Sequence, residues 1–527
     1  MTAAKRRDAE PRRRTGGREG RRALRAAGPG GDNAPIHPGI QGGAYKPLTE
    51  REIERIHHAA LDVLARIGMA DPIPELIDLA TAKGCPLGDD GRLRFPRAFV
   101  EDIVAGAAHD FVLHGRDPRH DLSIRDNRVH YGTGGAAVKL LDPRTGRYRP
   151  PTLVDLYDLA RLVDRLDNVH WYTRSVVATD VEDMFELDMN TIYACAAGTT
   201  KHIGTNFYLA DHVKPAVAML DLMLGGEGRF RARPFCKVHA SPVVSPLRFG
   251  ADNAEVAVAA AREGMPVNVI IAAQSGATAP AALAGMLVQT VAETLAGLIL
   301  VNLAVPGHPV IFSNWPFVSD LRTGSFTGGG GEIAVLNAAA AQISNFYDLP
   351  SGVAAGMADS KVPDDQAGYE KALTTALAGL AGANLVYESS GMLASLLGCS
   401  FESFVIDDEM LGHVQRAIRS IEVTDETLSV QAIEDAVNGP GHFLGHPQTL
   451  ALMETEYLYP ALGDRRTPDE WEEAGGKDIR ERARETLYGI MASHYPSYIA
   501  PDVDAEIRAR FPILLPESAM RADSGRW

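Results

Sequence analysis

Cysteine is scarce in this 527-residue sequence, and the few cysteines are scattered. Cys85, Cys195, Cys236 and Cys399 lie far apart, and none belongs to a CxxC or CxH pattern. The sequence therefore argues against a disulfide framework and a zinc ribbon, and we predict no metal site. Isolated cysteines of this kind are typical of small buried side chains in a reducing compartment, which favours a cytoplasmic location.

Membrane-spanning segments are not expected either. The longest apolar run, residues 278–305, carries Gln289, Glu293 and Asn302 at helical spacing. Polar side chains at that spacing predict a helix buried in a protein core rather than one surrounded by lipid. The N-terminus also lacks the apolar segment of a secretory signal. We therefore expect no membrane association.

Positive charge is missing from most of the chain. Residues 1–30 hold ten Lys or Arg residues against three acidic ones, a net charge of +7. The whole chain carries −16, so the remainder carries −23. An acidic body does not attract nucleic acids or anionic membranes. We expect no nucleic-acid partner, and we interpret the basic start as a solvated tail.

The remaining composition is that of a globular protein, with 45% apolar and 23% charged residues. Residues 1–45 are rich in Arg, Gly and Pro and predict a disordered basic tail. Residues 46–151 mix helical and short strand patterns and predict an N-terminal α+β extension, whose first helix starts with a capping box at Thr49 and ends at Gly68. Residues 424–527 lack strand alternation and predict a helical C-terminal extension.

Between these extensions, residues 152–423 alternate strand-like and helical segments. The predicted strands are residues 170–178, 202–208, 236–241, 267–273, 310–314, 351–357, 384–388 and 403–407. This alternation predicts a parallel sheet, because each helix returns the chain to the same edge. Eight units of this size favour an α/β fold of the (β/α)8 TIM-barrel class. An open doubly wound sheet is the alternative, but the first strand is not followed by its usual glycine-rich phosphate turn.

The reactive face of such a barrel is the carboxyl end of its strands. The residues predicted there are mostly polar and neutral, with a few carboxylates and aromatic rings. They include Asn206, Tyr208, Gln274, Trp315, Phe317, Tyr387, Glu388, Asp407 and Asp408. No predicted strand ends in lysine, which argues against a Schiff-base aldolase. The His-x-His pair of metal-dependent barrel hydrolases is also missing at the first strand.

Carboxylates and aromatic rings without neighbouring lysines make a site for an organic cation, because each ring face attracts a quaternary ammonium by roughly 0.5–2 kcal/mol. We assign Glu388 and Asp408 as catalytic candidates. The substrate-binding candidates are Asn206, Tyr208, Gln274, Trp315 and Phe317. A second interpretation stays open, in which Glu388 and Asp407 or Asp408 form the acid–base pair of a barrel hydrolase or lyase.

Four stretches carry a resemblance to a known family. They are residues 359–370 (DSKVPDDQAGYE), 382–392 (GANLVYESSGM), 400–411 (SFESFVIDDEML) and 441–459 (GHFLGHPQTLALMETEYLY). The YGTGG turn at residues 131–135 also fits. Together these stretches resemble the trimethylamine methyltransferase family of corrinoid-dependent enzymes, over residues 48 to 515 or so. The family's fold is a (β/α)8 barrel.

The resemblance implies methyl transfer from a methylamine or quaternary amine to the cobalt of a separate corrinoid protein. The chain itself would bind no cofactor, since the partner presents cob(I)alamin, and we expect a homo-oligomer. Family members that act on trimethylamine carry pyrrolysine, whereas this sequence is similar to the branch without it. Glu388 stands where many members are expected to have histidine, and its negative charge would favour a bare cation over a betaine. A binding protein that keeps the barrel without turnover is a further alternative.

Overall fold

A computed structural model of the protein describes residues 34–527, and a ring of eight parallel strands forms its centre. The strands are β1 (Arg128–Tyr131), β2 (Trp171–Thr173), β3 (His202–Thr205), β4 (Cys236–Ala240), β5 (Val267–Ile271), β6 (Val310–Asn314), β7 (Ser351–Ala354) and β8 (Leu385–Tyr387). Each of β2 to β8 pairs in parallel with the next. The predicted (β/α)8 barrel is therefore confirmed.

Strand β1 closes the ring. Its His130 is the parallel partner of Leu385 in β8, and Gly132, directly after β1, bridges in parallel to Trp171 of β2. Glycine is required at position 132, because a Cβ atom there would lie 2.2 Å from the indole of Trp171. The first barrel strand thus comes from the segment that the sequence assigned to the N-terminal extension.

The predicted eighth strand at residues 403–407 is wrong. These residues lie inside a helix, Phe401–Ile418, whose first turn is capped by the side chain of Ser400. The segment was mistaken for a strand because its apolar residues are buried on one helix face, where Phe404, Val405 and Leu411 pack inward. A short apolar run of this kind does not distinguish a strand from a buried helix.

Each barrel strand is followed by a helix that packs outside the ring. The helices are α1 (Leu153–Val163), α2 (Met184–Gly198), α3 (Val213–Met223), α4 (Ala251–Arg262), α5 (Leu283–Ala304), α6 (Gly331–Phe346), α7 (Asp365–Leu380) and α8 (Phe401–Ile418). Several begin at a side-chain cap, for example Thr152 with Asp155 at α1 and Asp364 at α7. Such caps satisfy backbone N–H groups that a helix leaves unpaired.

Helix α5 is long and apolar enough to cross a membrane by length and composition, yet most of it is buried inside the protein. Three N-terminal helices, Glu50–Asp62, Pro74–Ala82 and Arg97–Gly106, pack against it. Its Glu293 accepts hydrogen bonds from Ser245 Oγ at 2.6 Å and from the Leu247 N–H at 2.8 Å. The core position expected for this apolar run is therefore confirmed.

The N-terminal extension begins earlier than predicted. Ile40–Gln41, inside the segment expected to be disordered, pairs antiparallel with β1. The capping box at Thr49 and Glu52 is present, and the helix ends through a π-turn at Gly68. The rest of the predicted tail, residues 1–33, lies outside the described residues.

Two small sheets lie at the carboxyl end of the barrel. One joins Gln274–Ser275, Phe317–Asp320 and Ser325–Thr327. The other joins Lys139–Leu141, Tyr148–Arg149, Met392–Leu393 and Gly398–Ser400. All these strands belong to segments that connect a barrel strand to its helix. The connecting segments thus build a cover over the reactive end.

The C-terminal residues fold into helices. Ile479–Ser493 and Pro501–Arg510 belong to the same compact unit as the barrel, and Arg161 of α1 donates to the Met491 and His494 carbonyls. Residues 421–459 group into a second compact unit, which contains helices Val430–Asn438 and Pro447–Leu452.

Candidate active site

The ring of Tyr387, the last residue of β8, is the centre of an aromatic cluster at the carboxyl end of the barrel. The rings of Trp171, His239 and Trp315 surround it, with centroids 5.2, 5.2 and 5.3 Å from that of Tyr387. These four side chains come from β2, β4, the end of β6 and β8. We call them the ring cluster. Trp171 and Tyr387 are fully buried and Trp315 is 6% exposed, whereas His239 is partly exposed.

A lysine packs against the ring cluster, which the sequence did not predict. Lys237 lies in β4 two residues before His239, and both side chains face the barrel interior. Its Nζ atom lies 5.1 Å from the centre of the Trp171 ring and 5.5 Å from that of Tyr387. Lys237 is fully buried, and its burial lowers the pKa to about 7. The expectation of a site without lysine is therefore wrong.

An arginine also follows one of the barrel strands. Arg174 comes directly after β2, whereas the sequence placed the end of that strand at residue 178. Burial lowers the pKa of Arg174, and the neighbouring Tyr208 and Asp188 oppose that shift. The Asp188 carboxylate itself is bonded to His212 Nδ1 at 2.6 Å. The carboxyl end of the barrel is thus less poor in cations than the sequence suggested.

Glu388 directly follows Tyr387 and is held in a strained, fully buried position. Its φ of 64° is uncommon for a residue other than glycine, and strain of this kind concentrates at functional sites. A Cβ atom at Gly134 would lie 2.6 Å from its Oε1, so the glycines after β1 leave room for this carboxyl. Neither oxygen has a hydrogen-bond partner of good geometry among residues 34–527, although the backbone N–H of Gly135 lies close enough to lower the pKa of the carboxyl.

The electrostatics of Glu388 follow from that position. Burial raises its pKa to about 8, and the Lys371 ammonium partly offsets this shift. The carboxyl is therefore mostly neutral at pH 7. The repulsion that the sequence predicted between Glu388 and a betaine carboxylate would thus act only as the pH rises through 8.

Asp407 is tied into a buried ion pair. Its Oδ2 accepts from Lys371 Nζ at 2.6 Å and from the Gly391 N–H at 2.7 Å. Both side chains are buried, with 5% of Asp407 and 2% of Lys371 exposed. An ion pair of this kind fixes the turn after β8 against α7 and α8. It also occupies the oxygen that an acid–base partner of Glu388 would need.

Asp408, a predicted catalytic residue, lies at the other end of the barrel. Its Oδ1 accepts from the Asn168 N–H at 2.8 Å, and Asn168 precedes the start of β2. Burial raises the pKa of Asp408 to about 7. The Lys201 ammonium, just before β3, opposes that shift without cancelling it. Because the segment 403–407 is helical, Asp408 does not follow a strand. The structure therefore corrects its placement on the reactive face.

The predicted substrate-binding residues do not form one group. Trp315 belongs to the ring cluster, and Asn206 follows β3 with a partly exposed side chain. Gln274 and Phe317 belong to the small sheet of the cover. Gln274 Oε1 accepts a hydrogen bond from Ser319 Oγ at 3.1 Å. The rings of Phe317 and Phe326 make an edge-to-face contact, with their centroids 4.8 Å apart. Tyr208 lies on the rim and is 41% exposed. Sequence reasoning missed Trp171, which a strand ending at residue 178 had placed far from the reactive face.

The side chains at this site are suited to binding and orienting a ligand. Within residues 34–527, no group of three or more His, Cys, Asp or Glu side chains is arranged to hold a metal ion. The indole Nε1 of Trp315 and the phenol of Tyr387 are buried without a hydrogen-bond partner in the same range. Electron-rich rings next to a buried carboxyl are suited to a ligand that carries delocalised positive charge.

Comparisons with known proteins give matches over most of the chain. Residues 14–511 match the family model described as trimethylamine methyltransferase (MTTB). The chain is 31% identical to the trimethylamine methyltransferase MttB of Desulfitobacterium hafniense over 471 residues, which are 89% of this chain and 94% of that protein. It is 33% identical to MttB of Methanosarcina barkeri over 473 residues, 88% of this chain and 94% of that protein.

Two further proteins are similar. A glycine betaine methyltransferase of Desulfitobacterium hafniense is 28% identical over 468 residues, 88% of this chain and 96% of that protein. The crystal structure of the Methanosarcina barkeri monomethylamine methyltransferase (MtmB) superposes with a TM-score of 0.47 and 14% identity, covering 87% of this chain and 96% of that one.

Proposed function

The chain belongs to the trimethylamine methyltransferase (MTTB) family, and we propose that it transfers a methyl group from a quaternary amine to the cobalt of a separate corrinoid protein. The observation that carries this proposal is the ring cluster at the carboxyl end of the barrel. Three rings, from β2, β4 and the end of β6, surround Tyr387 of β8 there, next to the buried Glu388 carboxyl. Such a site binds a methylated cation without needing a bound metal.

The reaction requires little acid–base catalysis by the protein. The bond between nitrogen and methyl breaks, the nitrogen keeps the electron pair, and the donor leaves as a neutral tertiary amine. The acceptor, cob(I)alamin held by the partner, supplies the two electrons of the new cobalt–carbon bond. The chain must then hold the donor with one methyl group directed out of the barrel, so orientation is its main contribution. It must also avoid binding the cation too tightly, since the charge disperses in the transition state.

The charges around the ring cluster favour a cationic donor at the upper end of the neutral pH range. The ammonium of Lys237 repels a cation until it loses its proton near pH 7, and Glu388 attracts one only after it ionises near pH 8. His239 stays neutral, because burial and the Lys237 charge hold its pKa well below the ordinary value. The combined charge of Lys237 and Glu388 thus changes from positive to negative as the pH rises from 6 to 9.

Exposed apolar residues on the loops at this end support a protein partner. Four connecting segments and the first residue of α2 each carry one such side chain. They are Val138, Met184, Leu209, Leu321 and Leu397, which are 47%, 53%, 47%, 67% and 62% exposed. Exposed apolar side chains around a site are typical of a surface that another protein covers. The acceptor must reach the methyl group from this side, because the ring cluster lies at the carboxyl end of the barrel.

The alternative of a hydrolase or lyase finds less support. Asp407 is engaged by Lys371 and Gly391, and Asp408 lies at the amino end of the barrel. Neither of the two predicted partners is therefore available to act with Glu388 as an acid–base pair. A binding protein without turnover has the same ring cluster, and only an activity measurement separates it from the enzyme.

The proposal is tested by incubating the protein with cob(I)alamin and a panel of methylated amines at pH 8. The panel holds tetramethylammonium, choline, glycine betaine, larger betaines and trimethylamine. We expect one or more quaternary amines to yield methylcobalamin together with an equal amount of the demethylated amine. Binding of a quaternary amine without any product would support the binding-protein alternative, and product formation without cobalamin would support the hydrolase.

Asp408 should matter for stability and not for turnover. Replacing it with alanine removes the acceptor of the Asn168 N–H, and we expect the free energy of unfolding to fall by about 1–2 kcal/mol. The rate of methyl transfer by the folded variant should stay within about twofold of the wild type. Chemical denaturation and the cobalamin assay measure the two quantities. A loss of activity of tenfold or more in a stable variant would return Asp408 to the active site.

A further inference from the structure

Three lysines are buried in the described part of the chain, and two of them have complete partners. Lys201 donates to the carbonyls of Val163, Leu166 and Val169 at 2.7, 2.6 and 2.6 Å. Lys371 forms the ion pair with Asp407. Both arrangements repay the loss of hydration that burial imposes on an ammonium group. These two lysines are explained by the packing of the fold.

Lys237 is the exception. It is fully buried, and its Nζ atom has no hydrogen-bond partner among residues 34–527. The groups that face it are rings and neutral side chains: the Trp171 indole from β2, the Tyr387 phenol from β8, His202 from β3 and His239 from its own strand. Among the described residues, the Cys236 thiol is the titratable group that affects the pKa of Lys237, and no carboxylate does so. Nothing in the packing compensates an ammonium group at this place.

We propose that Lys237 is a nucleophilic amine that condenses with a small uncharged aldehyde inside the barrel to form an imine. An amine without a bound proton has a free electron pair, and an apolar site of aromatic rings keeps the amine in that form. The aldehyde must be small, because Nζ is fully enclosed by the rings. It must be uncharged, because no charged side chain faces Nζ to pair with an ion.

The reaction balances without an oxidant or a reductant. The amine electron pair forms the bond from Nζ to the carbonyl carbon, the carbonyl oxygen takes one of the amine protons, and a carbinolamine results. The carbon–oxygen bond then breaks, and the oxygen leaves as water with the second amine proton. We assign the transfer of that proton to His202, which lies near enough for the Lys237 charge to lower its pKa. Its Nε2 is buried and unpaired within residues 34–527, while Nδ1 is bonded to the His114 carbonyl at 2.8 Å.

Reductive trapping tests the proposal. The full-length protein is treated at pH 7 with one equivalent of acetaldehyde and sodium cyanoborohydride, and ethylated peptides are mapped by mass spectrometry. An exposed lysine has roughly one unprotonated amine in a few thousand at this pH, whereas Lys237 has about half. We expect ethylation at Lys237 to exceed that at the exposed Lys214 by at least about 100-fold. Ethylation should be half-maximal near pH 7.

The protein carries its own matched control. Burial lowers the pKa of Lys201 to about 8, but three backbone carbonyls bind its amine hydrogens, so Lys201 should be labelled far less than Lys237 in the same sample. The Lys237→Met variant, checked for folding by circular dichroism, should lose the label while the faint labelling of Lys214 is unchanged. Ethylation of Lys214 without ethylation of Lys237, or equal labelling of Lys201 and Lys237, would overturn the proposal.

The result of the trapping experiment does not depend on the proposed methyl transfer. It contains no corrinoid and no methylated amine, and the Glu388→Gln variant should be labelled as strongly as the wild type. Failure of methyl transfer would leave the Lys237 result unaffected. Failure of the trapping would leave the methyltransferase proposal unaffected in the same way.

Discussion

Replacing Glu388 with glutamine should remove the upper of two steps in the pH dependence of cation binding. In the wild type, the affinity for tetramethylammonium should rise with pH in two steps, near 7 as Lys237 loses its proton and near 8 as Glu388 becomes an anion. A charge about 7 Å away in a partly desolvated site contributes about 2 kcal/mol, roughly 30-fold in affinity. The variant should therefore match the wild type at pH 6 and bind roughly 30-fold more weakly at pH 9. Isothermal titration calorimetry between pH 6 and 9 measures this.

Glu293 provides a matched control for that measurement. It is also a buried glutamate whose pKa is raised by burial, but it lies in α5 and is bonded to Ser245, Leu247 and Gln289. The Glu293→Gln variant should keep both steps. The Lys237→Met variant should keep only the upper one. A Glu388→Gln profile that retains the step near pH 8 would show that another group attracts the cation.

Replacing Trp315 with leucine should weaken the binding of a cation and spare a neutral ligand of the same shape. Choline and 3,3-dimethylbutan-1-ol differ by a positive nitrogen in place of a carbon, so their comparison isolates the charge. Losing one ring face removes about 1–2 kcal/mol of attraction for the cation. We expect choline to bind about tenfold more weakly at pH 9, with a change below threefold for the alcohol. Competition calorimetry with tetramethylammonium measures both.

A rim residue serves as the comparison for Trp315. Tyr208 was expected at the site from sequence, but it is 41% exposed and is not part of the ring cluster. The Tyr208→Leu variant should bind choline as the wild type does. Equal losses for choline and for the alcohol in Trp315→Leu would mean that the indole supplies only apolar contact.

Much of the fold could be predicted because its signal is periodic. Seven of the predicted strands overlap barrel strands, and the segment at Val310–Asn314 agrees at both ends. The strand predicted at Arg128–Tyr131 was assigned to the N-terminal extension, because it lies in a run of short hairpin-like segments. Its pairing with Leu385 and the bridge from Gly132 to Trp171 reveal its place in the ring. The false strand at 403–407 satisfied the count of eight. The predicted number of barrel strands was therefore correct, although one barrel strand was left out and one helical segment was counted as a strand.

The site could be predicted only where a strand end was placed correctly. Trp315 and Glu388 follow well-defined strands, and both lie at the carboxyl end of the barrel. Trp171 and Arg174 were missed because β2 ends at Thr173, five residues before the predicted end. Lys237 lies at the second position of its strand, where no rule about strand ends would find it. Its importance comes from contacts with rings of β2 and β8, which are remote in sequence.

The most direct test of the account follows one labelled methyl group. The protein is mixed with cob(I)alamin and a quaternary amine whose methyl groups carry deuterium, at pH 8, and the cobalt-bound methyl is identified by mass spectrometry. The account predicts labelled methylcobalamin and the tertiary amine in equal amounts, formed at least about tenfold more slowly by Glu388→Gln and by Trp315→Leu. Unlabelled cobalamin with every amine of the panel, or unchanged rates in both variants, would contradict a methyl-donor site at the ring cluster.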